Sequence, residues 1–177
     1  MPVHGVPRLT VRYSGLFDFD GLYAAVIDWA KNYGYMWHEK TYKHKVPRPT
    51  GAEQEFDWVI TKNVTEYISF EIKFAVHTWD QRPVEVEIDG KKKQLTSARI
   101  FIVMTGKLIT DWQKRFGGSG KFGQFLGKWY ENLSSKNIGG VYGDTLVYRM
   151  VNLQALIKKF FDLQTKKYVY KGYLKDD

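Results

Sequence analysis

Between Tyr67 and Trp79 apolar and polar residues alternate, with Ile68, Phe70, Ile72, Phe74 and Val76 on one face of an extended chain and Ser69, Glu71, Lys73 and His77 on the other. A two-residue period is that of a strand with one face in a core and the other toward water. Asp80 to Pro83 breaks the run; Val84, Val86 and Ile88 resume it as far as Asp89-Gly90, a strong two-residue hairpin signal. The returning strand runs from Leu95 to Thr105. Its Ile100-Phe101-Ile102-Val103-Met104 core is apolar on both faces, which predicts a central or helix-covered position. Lys107 to Trp112 reads as one more strand after a bulge at Gly106.

The same logic organises the rest of the chain. Arg8 to Tyr13 is a first strand. Asp18 or Asp20 then caps a helix that runs to Tyr33, with Leu22, Val26, Trp29 or Ala30, and Tyr33 as its buried stripe and Gly34 to end it. Tyr35 to His44 alternates as a strand, and Val46-Pro47-Arg48-Pro49-Thr50-Gly51 reads as a loop. Phe56, Trp58 and Ile60 share one face of the next strand, with a turn at Asn63 to Glu66. The glycine-rich stretch 117–120 is followed by a helical pattern of Phe122, Phe125 or Leu126, Trp129 and Leu133. A last helix is capped by Asp144 and striped by Leu146, Met150, Leu153, Ile157 and Phe160. Residues 165–177 read as an edge strand or a tail. The expected architecture is a single α+β domain spanning 1–177. Its sheet is a mainly antiparallel meander of six to eight strands, with an N-terminal helix and two C-terminal helices packed on it.

The chain has 177 residues, is 44% hydrophobic and 16% aromatic, and so carries ample material for one packed core. No apolar run approaches the roughly 18 residues of a membrane span. The N-terminus lacks the pattern of a secretory signal, so the expected location is cytoplasmic or within an intracellularly assembled particle. With no cysteine, disulfides, thiolate metal sites and cysteine nucleophiles are excluded. A formal charge of +8 favours anionic partners without specifying one.

Candidate chemistry is sparse. Gly118 to Phe125 contains G-x-G-x-x-G and looks like the glycine-rich phosphate loop of protein kinases, but the 52 residues after Phe125 cannot hold a kinase's catalytic machinery. The Rossmann version lacks its βαβ unit, and Arg115 and Phe122 break the Walker pattern. His38 and His44 lie too far apart on one strand to chelate together, and His77 near Asp80 reads as a strand-end hydrogen bond rather than an orienting pair, with no serine placed to complete a triad. The acid pairs Glu85/Glu87 and Asp18/Asp20 read as a solvated hairpin face and a helix cap. No catalytic residue, metal or cofactor is expected.

The basic run His38 to Arg48 carries Lys40, Lys43, Lys45 and Arg48 around Tyr42, with Glu39 its only acid. Its lysines suit phosphates, and exposed Tyr35 or Trp37 suit base stacking. An edge strand guarded by lysines gives the same composition. Lys91, Lys92 and Lys93 at a hairpin tip extend the first reading, and Lys166, Lys167 and Lys171 add charge near the C-terminus.

Asp18-Phe19-Asp20-Gly21-Leu22-Tyr23, Trp29, Tyr33-Gly34-Tyr35, Glu39-Lys40, Val84-Glu85-Val86 through Asp89-Gly90-Lys91-Lys92, and Ala155-Leu156-Ile157-Lys158 resemble short, functionally unassigned proteins found among archaea. The resemblance spans most of the chain and implies neither an activity nor functional residues. The leading functional expectation is a non-enzymatic structural or assembly protein that contacts copies of itself or a larger particle. The alternatives are a basic RNA- or ribosome-associated binding module and, less favoured, a helix-over-sheet domain for an apolar ligand.

Overall fold

The computed structural model describes residues 3–48, 51–88, 91–113 and 138–173. Its strands are β1 (Val3–Gly5), β2 (Leu9–Phe17), β3 (Met36–Arg48), β4 (Gly51–Asn63), β5 (Ile68–Ile88) and β6 (Lys91–Thr110). Helix α1 (Phe19–Asn32) follows β2, and a π-helical turn (Ile138–Gly143) leads into helix α2 (Asp144–Tyr173). Every strand pairing is antiparallel, in the order β3-β4-β5-β6, and β1 and β2 lie end to end along the outer side of β6.

The protein is therefore α+β, as its periodicities predict, but where six to eight strands are expected side by side the described strands make a sheet only five across, β1 and β2 sharing one flank of β6. Two expected interruptions are not strand ends. Gly106 stays in register opposite Ile72 inside β6, so 95–105 and 107–110 form one strand. The Asp80 to Pro83 break is a bulge inside β5, where Asp80 takes a left-handed φ of 54°. Nor does Pro47 end β3, which continues to Arg48 with a register shift after Lys45. An edge strand tolerates proline because its outward side needs no N–H donor.

Among the described residues there is one C-terminal helix, and residues 165–173 continue it instead of forming an edge strand or tail. The helix expected over 122–133 and the glycine-rich stretch 117–120 lie outside the described residues.

Both helices bury their apolar stripes against one face of the sheet. Leu22, Val26, Trp29 and Ala30 of α1 share a core with Leu146, Met150, Leu153, Ile157 and Phe161 of α2 and with Ile68, Phe70, Ile72, Phe74 and Val76 of β5. Phe161, not Phe160, closes the α2 stripe, stacking on Tyr13 at 4.4 Å and meeting Phe17 edge-on at 5.5 Å. Each fully buried side chain of this set contributes about 1.5–3 kcal/mol of transfer free energy. The Trp29 indole donates to Asn152 Oδ1 at 2.9 Å and ties the helices together.

Helix α1 ends as its sequence dictates. At its C-terminus Tyr35 N–H donates to Ala30 O and Gly34 N–H to Lys31 O, a Schellman pair that Gly34 permits with φ 69°. At its start Asp18 Oδ1 accepts from Gly21 N–H at 2.9 Å, and Lys93 Nζ lies 2.7 Å from Asp18 Oδ2. Burial alone would raise the Asp18 pKa; the Lys93 ammonium and the Gly21 and Asp20 amides outweigh it and hold the carboxyl below 3.8. A depressed folded-state pKa gives stability that is present above the unfolded value and lost as pH falls through the folded one. Asp18→Ala should cost about 0.5–2 kcal/mol at pH 7. Urea unfolding at pH 7 and pH 3 should show that cost shrinking at the lower pH.

Candidate functional site at the strand edges and the open face

Among the described residues strand β3 bonds only to β4 and is an edge of the sheet. Lys43 and Lys45 stand opposite Glu55 and Glu53 in register; the Lys43 side chain lies on the face away from the helices, where its Nζ approaches Glu55 Oε2 at 3.9 Å. Lys40 sits at a bulge between Glu39 and Thr41, and Arg48 sits at the end of the strand. Tyr35 and Trp37 point the other way. Tyr35 is buried and stacks on Trp29 at 5.5 Å; desolvation pushes its phenol up to about 12, with Arg149 pulling in the opposite sense. Trp37 packs edge-on against Tyr23 at 5.3 Å, and its indole N–H is buried without a partner, as is that of Trp58.

The expected exposed aromatic platform beside the lysines is therefore corrected, because strand alternation sends residues 35 and 37 toward α1. The bulge resets this alternation, and Tyr42 emerges beside Phe56 at the rim of the core, 53% exposed.

The second edge belongs to an arm. β4 leaves β5 after the Ala52↔Gln81 pair and β2 leaves β6 after Phe17↔Thr96, so among the described residues the outer parts of β5 and β6 pair only with each other. Glu85 and Glu87 alternate with Val84 and Val86 along the β5 side, and Lys91, Lys92 and Lys93 lie across from Ile88, Glu87 and Val86. Lys92 Nζ meets Glu85 at 3.1 Å, and Lys93 is the partner of Asp18. β3 and β5 run in the same direction, so both basic runs stand at one end of the sheet. Three strand spacings, about 14 Å, still separate their strands, and the two runs do not merge into one patch.

On the open face one row crosses all five ranks: Arg12, Phe101, His77, Glu55 and Lys43. The Arg12 guanidinium lies 4.6 Å from the centre of the Phe101 ring. His77 Nε2 is 2.7 Å from Glu53 Oε1 and 3.8 Å from Glu55 Oε1, while its ring stacks on Trp79 at 3.8 Å. The expected His77–Asp80 pair does not form. The left-handed turn at Asp80 sends its carboxylate to Arg99, which donates from Nε and Nη2 at 2.7 and 2.6 Å. Arg12, Ser14, Trp79, Arg99 and Phe101 border a shallow depression of about 410 Å³.

Sequence reasoning missed the Glu53–Glu55–His77 cluster. The i, i+2 spacing of the two glutamates was visible; the β4–β5 register that brings His77 to them was not. No helix among the described residues is long and apolar enough to cross a membrane. The sequence matches no protein-family model and no curated protein, so function is to be read from the geometry itself.

Proposed function

We propose that this chain is a non-enzymatic assembly protein that joins copies of itself by strand addition, the β5 side of the arm of one copy lying along β3 of the next. The observation that carries this reading is the pair of strand edges with opposite charge: among the described residues β3 bonds only to β4, and β5 beyond Gln81 bonds only to β6. β3 presents Lys43 and Lys45, and the arm presents Glu85 and Glu87.

Alternation makes the match two-sided. Any register that sets Glu85 and Glu87 against Lys43 and Lys45 also sets Val84 and Val86 beside Tyr42 and His44. Pairing of two β3 strands would instead face lysine with lysine. Exposed ion pairs are worth only about 0.2–1 kcal/mol each, so main-chain hydrogen bonds supply the binding and the charges select partner and register. Because the two surfaces differ, the contact is heterologous and generates rings or filaments rather than closed dimers.

The alternative, a basic RNA- or ribosome-associated module, draws on the β3 lysines, but Tyr35 and Trp37 face the core and Lys43, Lys92 and Lys93 have acidic neighbours. Light scattering across a concentration series should show growth beyond a monomer that weakens with added salt. A monomer at every concentration, together with salt-sensitive binding of single-stranded RNA, would overturn the assembly reading in favour of the alternative.

A further inference from the structure

We infer that Glu53, Glu55 and His77 form a binding site for a divalent transition-metal ion of the Zn²⁺ or Mn²⁺ type. One ligand atom from each of the three residues lies within 4.8 Å of the others. Ligands about 2.0–2.1 Å from a tetrahedral ion stand about 3.3 Å from one another. The separations of His77 Nε2 from Glu53 and Glu55, 2.7 and 3.8 Å, straddle that value, so small side-chain rotations centre an ion among the three.

The scaffold holds the donors in place. Glu53 and Glu55 project from the same face of β4, and His77 is the direct cross-strand partner of Glu55. The imidazole is fixed from one side by the Trp79 ring, stacked at 3.8 Å and 24°, and Trp79 has the Arg99 guanidinium 5.9 Å from its ring centre. All three ligands are partly buried, which lowers the dielectric without closing off entry. A ring nitrogen carries at most one proton and can bond one carboxylate well, whereas two carboxylates converge on this one. A divalent ion can be bound by all three groups at once, while Lys43 stays 3.9 Å from the other Glu55 oxygen.

The donor set chooses the metal. One imidazole and two carboxylates without sulfur suit Zn²⁺ or Mn²⁺ and do not suit Cu⁺ or an iron–sulfur cluster. With three protein ligands, a fourth position is left for water or an outside group.

Isothermal titration of the full chain with ZnCl₂ and MnCl₂, with MgCl₂ as the hard-ion control, tests the site. Saturable binding of one Zn²⁺ or Mn²⁺ per chain is expected, with a change in tryptophan fluorescence that Trp79→Phe removes. His77→Ala and Glu53→Gln should each weaken binding by more than about tenfold, the upper range of losses seen even for residues one step removed from a metal being a hundredfold. Glu71→Gln, on the same face, should leave binding unchanged. Circular dichroism of each variant, with His77→Gln as a second substitution, separates lost ligation from lost folding. Absence of saturable binding, or binding that His77→Ala and Glu53→Gln leave intact in folded protein, would overturn the proposal. So would Mg²⁺ binding as tight as that of Zn²⁺ and Mn²⁺, since the imidazole would then contribute nothing.

Discussion

Reversing one charge set, with Glu85→Lys and Glu87→Lys in one variant or Lys43→Glu and Lys45→Glu in another, should leave each protein monomeric when alone. Mixing the two should restore assembly. In the first variant the arm repels β3 of its own kind, and in the second β3 repels the arm. In the mixture, each reversed arm meets a reversed β3 and each unaltered arm meets an unaltered β3, so every contact is again complementary. The internal neighbours do not decide the outcome: Lys43 and Glu55 are 3.9 Å apart, and Lys92 and Glu85 are both well exposed. Sedimentation velocity on each variant and on the equimolar mixture measures the effect. Continued assembly of either variant alone would show that the arm and β3 are not the joining edges.

Gly106→Ala should destabilise the fold by about 1–3 kcal/mol, although it replaces glycine in a strand, where alanine is ordinarily preferred. Gly106 lies near the C-terminal end of β6 beneath α2, and a methyl group there would meet the Met150 sulfur and a Val6 methyl, with Leu146 Cδ2 at 3.5 Å. The missing side chain is what lets α2 lie close to the sheet. Met150→Ala alone should cost about 2–5 kcal/mol as a cavity. The double variant should cost less than the two changes added together, by about 0.5–3 kcal/mol, because each relieves the defect of the other. Strict additivity in urea unfolding would mean that the two residues do not share this space.

The same glycine shows where the sequence was legible and where it was not. One-dimensional periodicity revealed the stripe of α1, its Gly34 stop and a cap at Asp18 or Asp20, of which Asp18 serves, the buried face of β5 and most of the stripe of α2, because each depends on residues close together in the chain. Punctuation was less faithful. Gly106, Pro47 and the Asp80 to Pro83 segment read as breaks, yet tertiary packing carried a strand through each of them. The basic edge was legible as an edge strand, since Lys40 and Lys43 do face away from the core. The orientation of Tyr35 and Trp37 depended on which side of β3 meets α1, and the partner of His77 depended on cross-strand register. Local sequence encodes neither.

The meander from β3 to β6 joins each strand to the next one made. β2 does not follow that rule: Leu9 lies against Met104 and Phe17 against Thr96. Its partner therefore leaves the ribosome only after α1, β3, β4 and β5 have already emerged. Throughout that interval the flank of β2 destined for β6 lacks the partner it has in the fold. A strand made near the start of synthesis is thus among the last to be housed, and the chain has to keep that ribbon from mispairing until β6 arrives.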